Sequence, residues 1–143
     1  MIELQTAIFE KLSSDVTLQG LLSSYTYSNG QTVPSVFTHL PQSDDNAVFP
    51  CIVIDYPKLN QNDTDTTIGF DCTLLIHSWS VERTFKQCAD IQTALYNSLH
   101  RATLTISSFK FSGISCEFNE ILLDPDGISR HGIQRFRIFI EQG

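Results

Sequence analysis

Two stretches of strict alternation constrain this chain more than anything else in it. Residues Ile68 to Trp79 (IGFDCTLLIHSW) put Phe70, Cys72, Leu74 and Ile76 on one face and Asp71, Thr73, Leu75, His77 and Trp79 on the other. Residues His131 to Glu141 (HGIQRFRIFIE) put Phe136, Ile138 and Ile140 on one side and Arg135 and Arg137 on the other. A period of two is the side-chain repeat of a β-strand, and one apolar face means a sheet covered on that side. The cover lies between them in sequence. Residues 81–101 carry Phe85, Cys88, Ile91, Leu95, Leu99 and then Ala102 every three or four positions, the stripe of an amphipathic helix. Ser80 is placed to cap it, and Glu82 in the first turn suits the helix dipole.

The rest of the chain fits the same plan. Residues 3–13 place Leu4, Ala7, Ile8 and Leu12 at helical spacing. Ser14 or Asp15 caps a second, short helix with Leu18, Leu21 and Leu22 on its stripe. Residues 25–35 read as a turn-rich connector with Asn29-Gly30 and Pro34. Val36–Leu40 is a short strand and 41–47 a loop. Val48–Tyr56 is dense in apolar and β-branched residues, a strand with both faces covered. Residues 57–66 are a polar connection too short for a crossover helix, so the strands either side of it pair antiparallel. Ile114–Leu123 is a further strand, with Ile114, Cys116, Phe118 and Leu122 on one face. Residues 103–113 alternate and could include an edge strand, and Asp124-Pro125-Asp126-Gly127 is a turn. The expectation is one domain over residues 1–143 of the α+β class. A mainly antiparallel sheet of about four to five strands carries the long helix and the N-terminal helix on one face.

Charge narrows the function. Sixteen acids against nine bases give a formal −7. Residues 41–71 alone hold six aspartates against Lys58, whereas residues 72–143 hold seven acids and seven bases. No Lys/Arg cluster exists to grip phosphate, which disfavours a nucleic-acid-binding domain. With 41% apolar residues the chain is not disordered, and its apolar runs fall far short of the roughly 20 residues of a membrane span. Cys51, Cys72, Cys88 and Cys116 are widely spaced within apolar stretches and form no C-x-x-C. Without a visible signal peptide they read as reduced, buried thiols in a cytosolic setting.

Catalytic signatures are missing. There is no P-loop, dinucleotide fingerprint, H-E-x-x-H or nucleophile elbow. Asp124 and Asp126 open like a calcium loop but lack its closing ligands. His77 and His131 lie on strands that could neighbour each other, so a paired-histidine site is conceivable, although sheet-face histidines are commoner. No cofactor or metal is expected. The mixed face is more informative: Leu75, His77 and Trp79 on one strand, Ile133, Arg135, Arg137 and Phe139 on the other. If helices cover the opposite face only, this surface suits burial against another subunit. Arg130, Arg135 and Arg137 could there meet acids of a neighbour.

Four segments, in order, resemble the tail-completion or tail-terminator family of tailed bacteriophages and gene transfer agents. They are L-x-x-A-I-F-x-x-L-S-S-D-x-x-L (Leu4–Leu18), F-P-C-I-V-I (Phe49–Ile54), L-L-I-H-S-W-S (Leu74–Ser80) and D-P-D-G-I-S-R-H-G-I-Q-R-F-R-I-F-I-E (Asp124–Glu141). Each is weak alone; order and spacing carry the resemblance. It implies a non-enzymatic structural virion protein, assembled in the host cytoplasm and located in the tail or neck. It further implies a hexameric ring at the head-proximal end of the tail tube, which ends tube polymerisation and meets the head–tail connector. DNA would pass through its lumen without specific binding. The partners implied are further copies of the chain, the tail tube protein and the connector or stopper, with no membrane.

Three expectations are added on physical grounds. Subunit contact falls to Trp79, His77, Arg135, Arg137 and Phe139. Acidic loops carrying Asp44, Asp45, Asn62, Asp63 and Asp65 face the lumen or tail tube, where negative charge keeps DNA from sticking. The 57–66 connection is expected to reach a neighbour or the tube and to order only on assembly. The rivals are a head–tail stopper or adaptor, which tends to be mainly helical, and a small ligand-binding α+β domain with a cavity under Phe85 and Leu95. An enzyme using His77 or His131 is a third.

Overall fold

The structure, a computed structural model, describes residues 1–27, 29–38 and 49–142. Helix α1 spans Ile2–Ser13 and α2 spans Val16–Leu21. Asp15 is the N-cap of α2 and accepts from the Leu18 backbone N–H at 3.0 Å, as expected for an Asp before an apolar stripe. Strands β1 (Ser24–Thr26) and β2 (Thr32–Pro34) follow, then β3 (Val36–Phe37), β4 (Cys51–Ile54), β5 (Lys58–Gln61) and β6 (Gly69–Ser80). Helix α3 (Lys86–Leu99) leads to β7 (Phe109–Leu123) and β8 (Arg130–Gln142).

The main sheet runs β3-β4-β6-β8-β7, with β5 also paired to β6. All pairings are antiparallel except β3 with β4. Strand β6 is the spine. Its whole length pairs with β8, from Gly69 opposite Glu141 to Ser80 opposite Arg130. On its other edge it pairs with β5 near its start and β4 near its end. Exposure along β6 alternates from Asp71 to Ser80, and β8 repeats it, with Phe136, Ile138 and Ile140 buried and Arg135 and Arg137 exposed. Helices α1, α2 and α3 lie on the apolar face. Leu4, Ile8, Leu12, Leu18, Ile91, Leu95 and Leu99 form one cluster with Leu74, Ile76, Phe136, Ile138 and Ile140.

A polar seam under α3 sets how closely the helix approaches the sheet. Gln92 donates to the Glu120 carbonyl at 3.0 Å, and Gln134 on β8 donates to the Gln92 carbonyl at 3.0 Å. Opposite them stands Gly132. A Cβ there would lie 2.7 Å from Gln92 Nε2 and 2.8 Å from Cys88 Sγ, so only the bare backbone leaves room for α3.

Several sequence expectations are corrected. The connector at 25–35 is a hairpin: β1 and β2 pair antiparallel, Tyr25 opposite Val33, and the Thr26 and Thr32 hydroxyls meet at 2.9 Å. Asn-Gly was the hairpin signal. The polar 57–66 connection includes strand β5, paired Lys58 to Thr73 through Gln61 to Phe70. It has little strand propensity of its own and takes its conformation from β6, so it is ordered within the single chain rather than a bare loop. Helix α3 begins at Lys86, not at 81. Ser80 ends β6 instead of capping the helix, its hydroxyl accepting from the Glu82 N–H at 3.2 Å and donating to Gln87 at 2.5 Å.

Strand β7 differs most. It starts at Phe109, absorbing much of the uncertain 103–113 segment, and has register irregularities between Phe111 and Gly113 and between Cys116 and Phe118. Each extra residue exchanges the two faces. Ile114 stays in the core, while Phe118 and Leu122, expected beside it, are exposed.

Candidate functional site

The face opposite the helices gathers the five residues singled out for subunit contact. Trp79 and His77 on β6 share this face with Arg135, Arg137 and Phe139 on β8, strung along the paired strands from Trp79 opposite His131 at one end to Phe139 opposite Asp71 at the other. The β1–β2 hairpin covers one end of this face. There Tyr25, Phe49 and Trp79 pack against buried Phe37, Cys51 and Val53, a second small core. Trp79 therefore belongs half to the surface and half to this cluster.

From Trp79 a line of stacked rings crosses the sheet. Phe49 stacks on the indole at 6.0 Å between ring centres, and His131 lies flat on its other side at 3.9 Å and 7°. His131 Nε2 is 2.7 Å from His77 Nδ1, and His77 Nε2 is 2.9 Å from Asp55 Oδ2. Trp79 is directly opposite His131 in the register and His77 opposite Ile133, so the histidines meet on the diagonal. Burial, then the neighbouring His77, hold His131 below the ordinary histidine range.

Next to the rings is a ladder of ion pairs. Arg137 Nε and Nη2 grip both oxygens of Asp71, at 3.0 Å and 2.6 Å, a bidentate pair between β8 and β6. Glu117 reaches in from the second β7 bulge, 3.2 Å from Arg135 Nε and 3.8 Å from Arg137 Nε. The guanidinium groups lie over rings, Arg135 over Phe118 and Arg137 over Phe139. The hydrogen bond from Arg137 holds the Asp71 carboxyl below its usual range. Both arginines thus find acids within their own chain, as does Arg130 a surface of its own, lying over Phe85 and donating to the Arg83 carbonyl. The sequence left their partners open; Asp71, Glu117 and Asp55 were the residues it missed.

The other candidates lie elsewhere. Asn62, Asp63 and Asp65 are in the exposed β5–β6 turn. Asp63 accepts from the Gly69 N–H at 3.1 Å, and Thr64 accepts from the Thr67 N–H at 3.0 Å, so the turn is braced by its own side chains. Asp44 and Asp45 lie outside the described residues. Leu95 is wholly buried in the main core, while Phe85 is half-exposed beneath Arg130. Among the described residues no group of three His, Cys, Asp or Glu side chains is arranged to hold a metal ion, and no helix is long and apolar enough to cross a membrane. Asp55, His77 and His131 form a hydrogen-bonded line, too tightly spaced to admit an ion between the rings.

Residues 6–141, almost the full length, match the family described as tail completion protein gp17. The chain belongs to that family. It is a structural component of the virion tail. A curated relative, the tail completion protein gp17 of Bacillus phage SPP1, is 25% identical over 137 residues, covering 96% of this chain and 91% of the relative. Among solved structures, a chain in the virion of a native gene transfer agent particle superposes with a TM-score of 0.81, covering 96% of this chain and 94% of that one. At 17% identity that likeness is one of fold.

Proposed function

We propose that this chain closes the head-proximal end of the phage tail as a hexameric ring. The ring ends polymerisation of the tail tube, meets the head–tail connector on its other side, and lets DNA through its lumen. It carries out no catalysis. The observation that carries this reading is the match to the tail completion family from residue 6 to residue 141.

The helix-free face supports the contact between copies. Covering a lone charge is costly, but Arg137 and Arg135 already have Asp71 and Glu117, so a neighbour can cover them without stranding an ion. Phe118 and Leu122 on the adjoining β7 are exposed on this face, and covering them is favourable. A contact of ordinary size takes about 800 Å² per partner, near a tenth of the 8045 Å² surface of one copy. The β5–β6 turn with Asn62, Asp63 and Asp65 faces the tube or the lumen, where its acids and the overall −7 charge repel the DNA backbone.

Two experiments test this. Native mass spectrometry and electron microscopy of the purified protein, alone and with tail tubes, should give rings or ring-capped tubes; a strict monomer in both would sink the ring. In virions, Leu122→Glu with Phe139→Glu should keep the fold by circular dichroism yet give unjoined or overlong tails. Shortening the turn between Asn62 and Gly69 should do the same, and tails of normal length would count against its placement.

A further inference from the structure

We propose that Asp55, His77 and His131 form a proton-operated latch: the two imidazoles hold one added proton between them, and a second opens the ring stack that seats Trp79. The wiring follows from what each atom can do. A carboxylate only accepts, so the 2.9 Å contact to Asp55 places a hydrogen on His77 Nε2. In the neutral ring Nδ1 of His77 is then an acceptor, and the 2.7 Å contact needs the hydrogen of His131 Nε2. One more proton turns the pair into imidazole and imidazolium. The bond between them survives, and Asp55 balances the charge. A further proton puts N–H groups on both facing nitrogens, between two cations, at a separation that holds one hydrogen. The contact must break.

What breaks with it is fixed by the stack. His131 lies 3.9 Å from Trp79, which is held on its other side by Phe49 and below by the small core of Phe37, Cys51 and Val53. Removing His131 takes away one wall of the indole's seat, at the end of the helix-free face. Among the described residues, the charged groups that act on His131 are Asp55, after β4, and Asp124, in the β7–β8 turn, both favouring its protonation, and Asp55 also meets His77. Burial and His77 act against them and prevail on His131. The closed form therefore takes up the second proton less readily than an opened or unfolded one. Acidification below about 6.5, the ordinary histidine value, drives opening, and the latch is shut above it. The protons leave in two steps that belong to the pair. The latch is a property of the isolated chain and does not depend on the ring.

Trp79 is the sole tryptophan, so it reports directly. Its emission and near-ultraviolet circular dichroism are followed from about pH 8 to about pH 5, across the histidine range, with far-ultraviolet dichroism alongside. The expected result is one step, a red shift with loss of the near-ultraviolet signal, while the far-ultraviolet signal holds. His131→Gln, whose amide can donate to His77 without titrating, should abolish the step, and Asp55→Asn, which removes a carboxylate that favours the second proton, should move it to lower pH. Nitrogen-15 imidazole NMR of the unsubstituted chain should show His77 Nε2 protonated throughout and two coupled steps. The proposal is overturned by no step, by a step that persists in His131→Gln, or by one coinciding with loss of secondary structure. If His131→Gln does not fold, the NMR decides, and two independent titrations at the ordinary value overturn it.

Discussion

Replacing Gly132 with alanine tests the closest contact in the fold. The new Cβ would sit 2.7 Å from Gln92 Nε2 and 2.8 Å from Cys88 Sγ, inside any ordinary van der Waals separation. The two neighbours differ in how they can respond. Gln92 can swing its amide aside, but it then gives up the 3.0 Å bond to the Glu120 carbonyl, worth about 1 kcal/mol. Cys88 is short and wholly buried on α3, so relieving it means moving the helix. Overpacking of this kind costs about 1–3 kcal/mol. Alanine in a strand recovers about 0.5–1 kcal/mol of glycine's backbone entropy. The net is a loss of about 1–3 kcal/mol, or roughly 3–10 °C in Tm for a chain of this size. Thermal melts followed by circular dichroism measure it, with two companions. Gly20→Ala, with nothing within 4 Å of its new Cβ, should be neutral or stabilising by up to about 1 kcal/mol. Cys88→Ala combined with Gly132→Ala should be less destabilised than the two single losses added together, because the clash with sulfur is gone. If Gly132→Ala melts with the parent chain, or the double variant is strictly additive, the close approach of α3 at Gly132 is not what the geometry says.

Burial pushes the Cys51 thiol up to about 12 and those of Cys72 and Cys88 to about 11, so a thiol reagent at mild alkaline pH should label the native chain first at partly exposed Cys116 and the other three only on unfolding. Asp71 is held below the ordinary carboxylate range by Arg137, so its contribution to stability is complete above about pH 3.9 and fades as pH falls through its lowered value. The stability difference between the parent and Asp71→Asn should therefore shrink on acidification in urea titrations; a constant difference would remove the pair as its cause. Phe136→Ala, at a wholly buried position, should cost about 3–5 kcal/mol in the same assay.

How much of this was legible depended on how local the signal was. Strand β8 and the core face of β6 were readable to the residue, because alternation is a property of consecutive side chains. The stripe on α3 was readable too, but its start was not. Ser80 is a good cap by type, yet the ladder with β8 continues through Ser80 to Arg130 and takes that residue into the sheet. Strand β5 was invisible because KLNQ has no strand character until β6 offers its edge. On β7 the alternation was followed across two bulges that nothing in the residue types announces, so Phe118 and Leu122 were placed on the wrong face.

The candidate face divides the same way. That Trp79, His77, Arg135, Arg137 and Phe139 share a side follows from period two along two strands once they are paired. What each of them touches does not. Asp71 is 66 residues from Arg137 and Asp55 is 22 from His77, and neither pairing has a trace in local sequence. The sequence by itself determined the helices, the period-two faces of β6 and β8, the acidic balance and the order of segments that marks the family, since these depend on residues close together or on sums over the chain. The tertiary structure alone decided the bulges, the borrowed strand β5, the cover that the β1–β2 hairpin gives Trp79, and the partner of every charge on the outer face. Those depend on which distant segments the register sets side by side, and register is settled by packing the whole sheet against the helices at once.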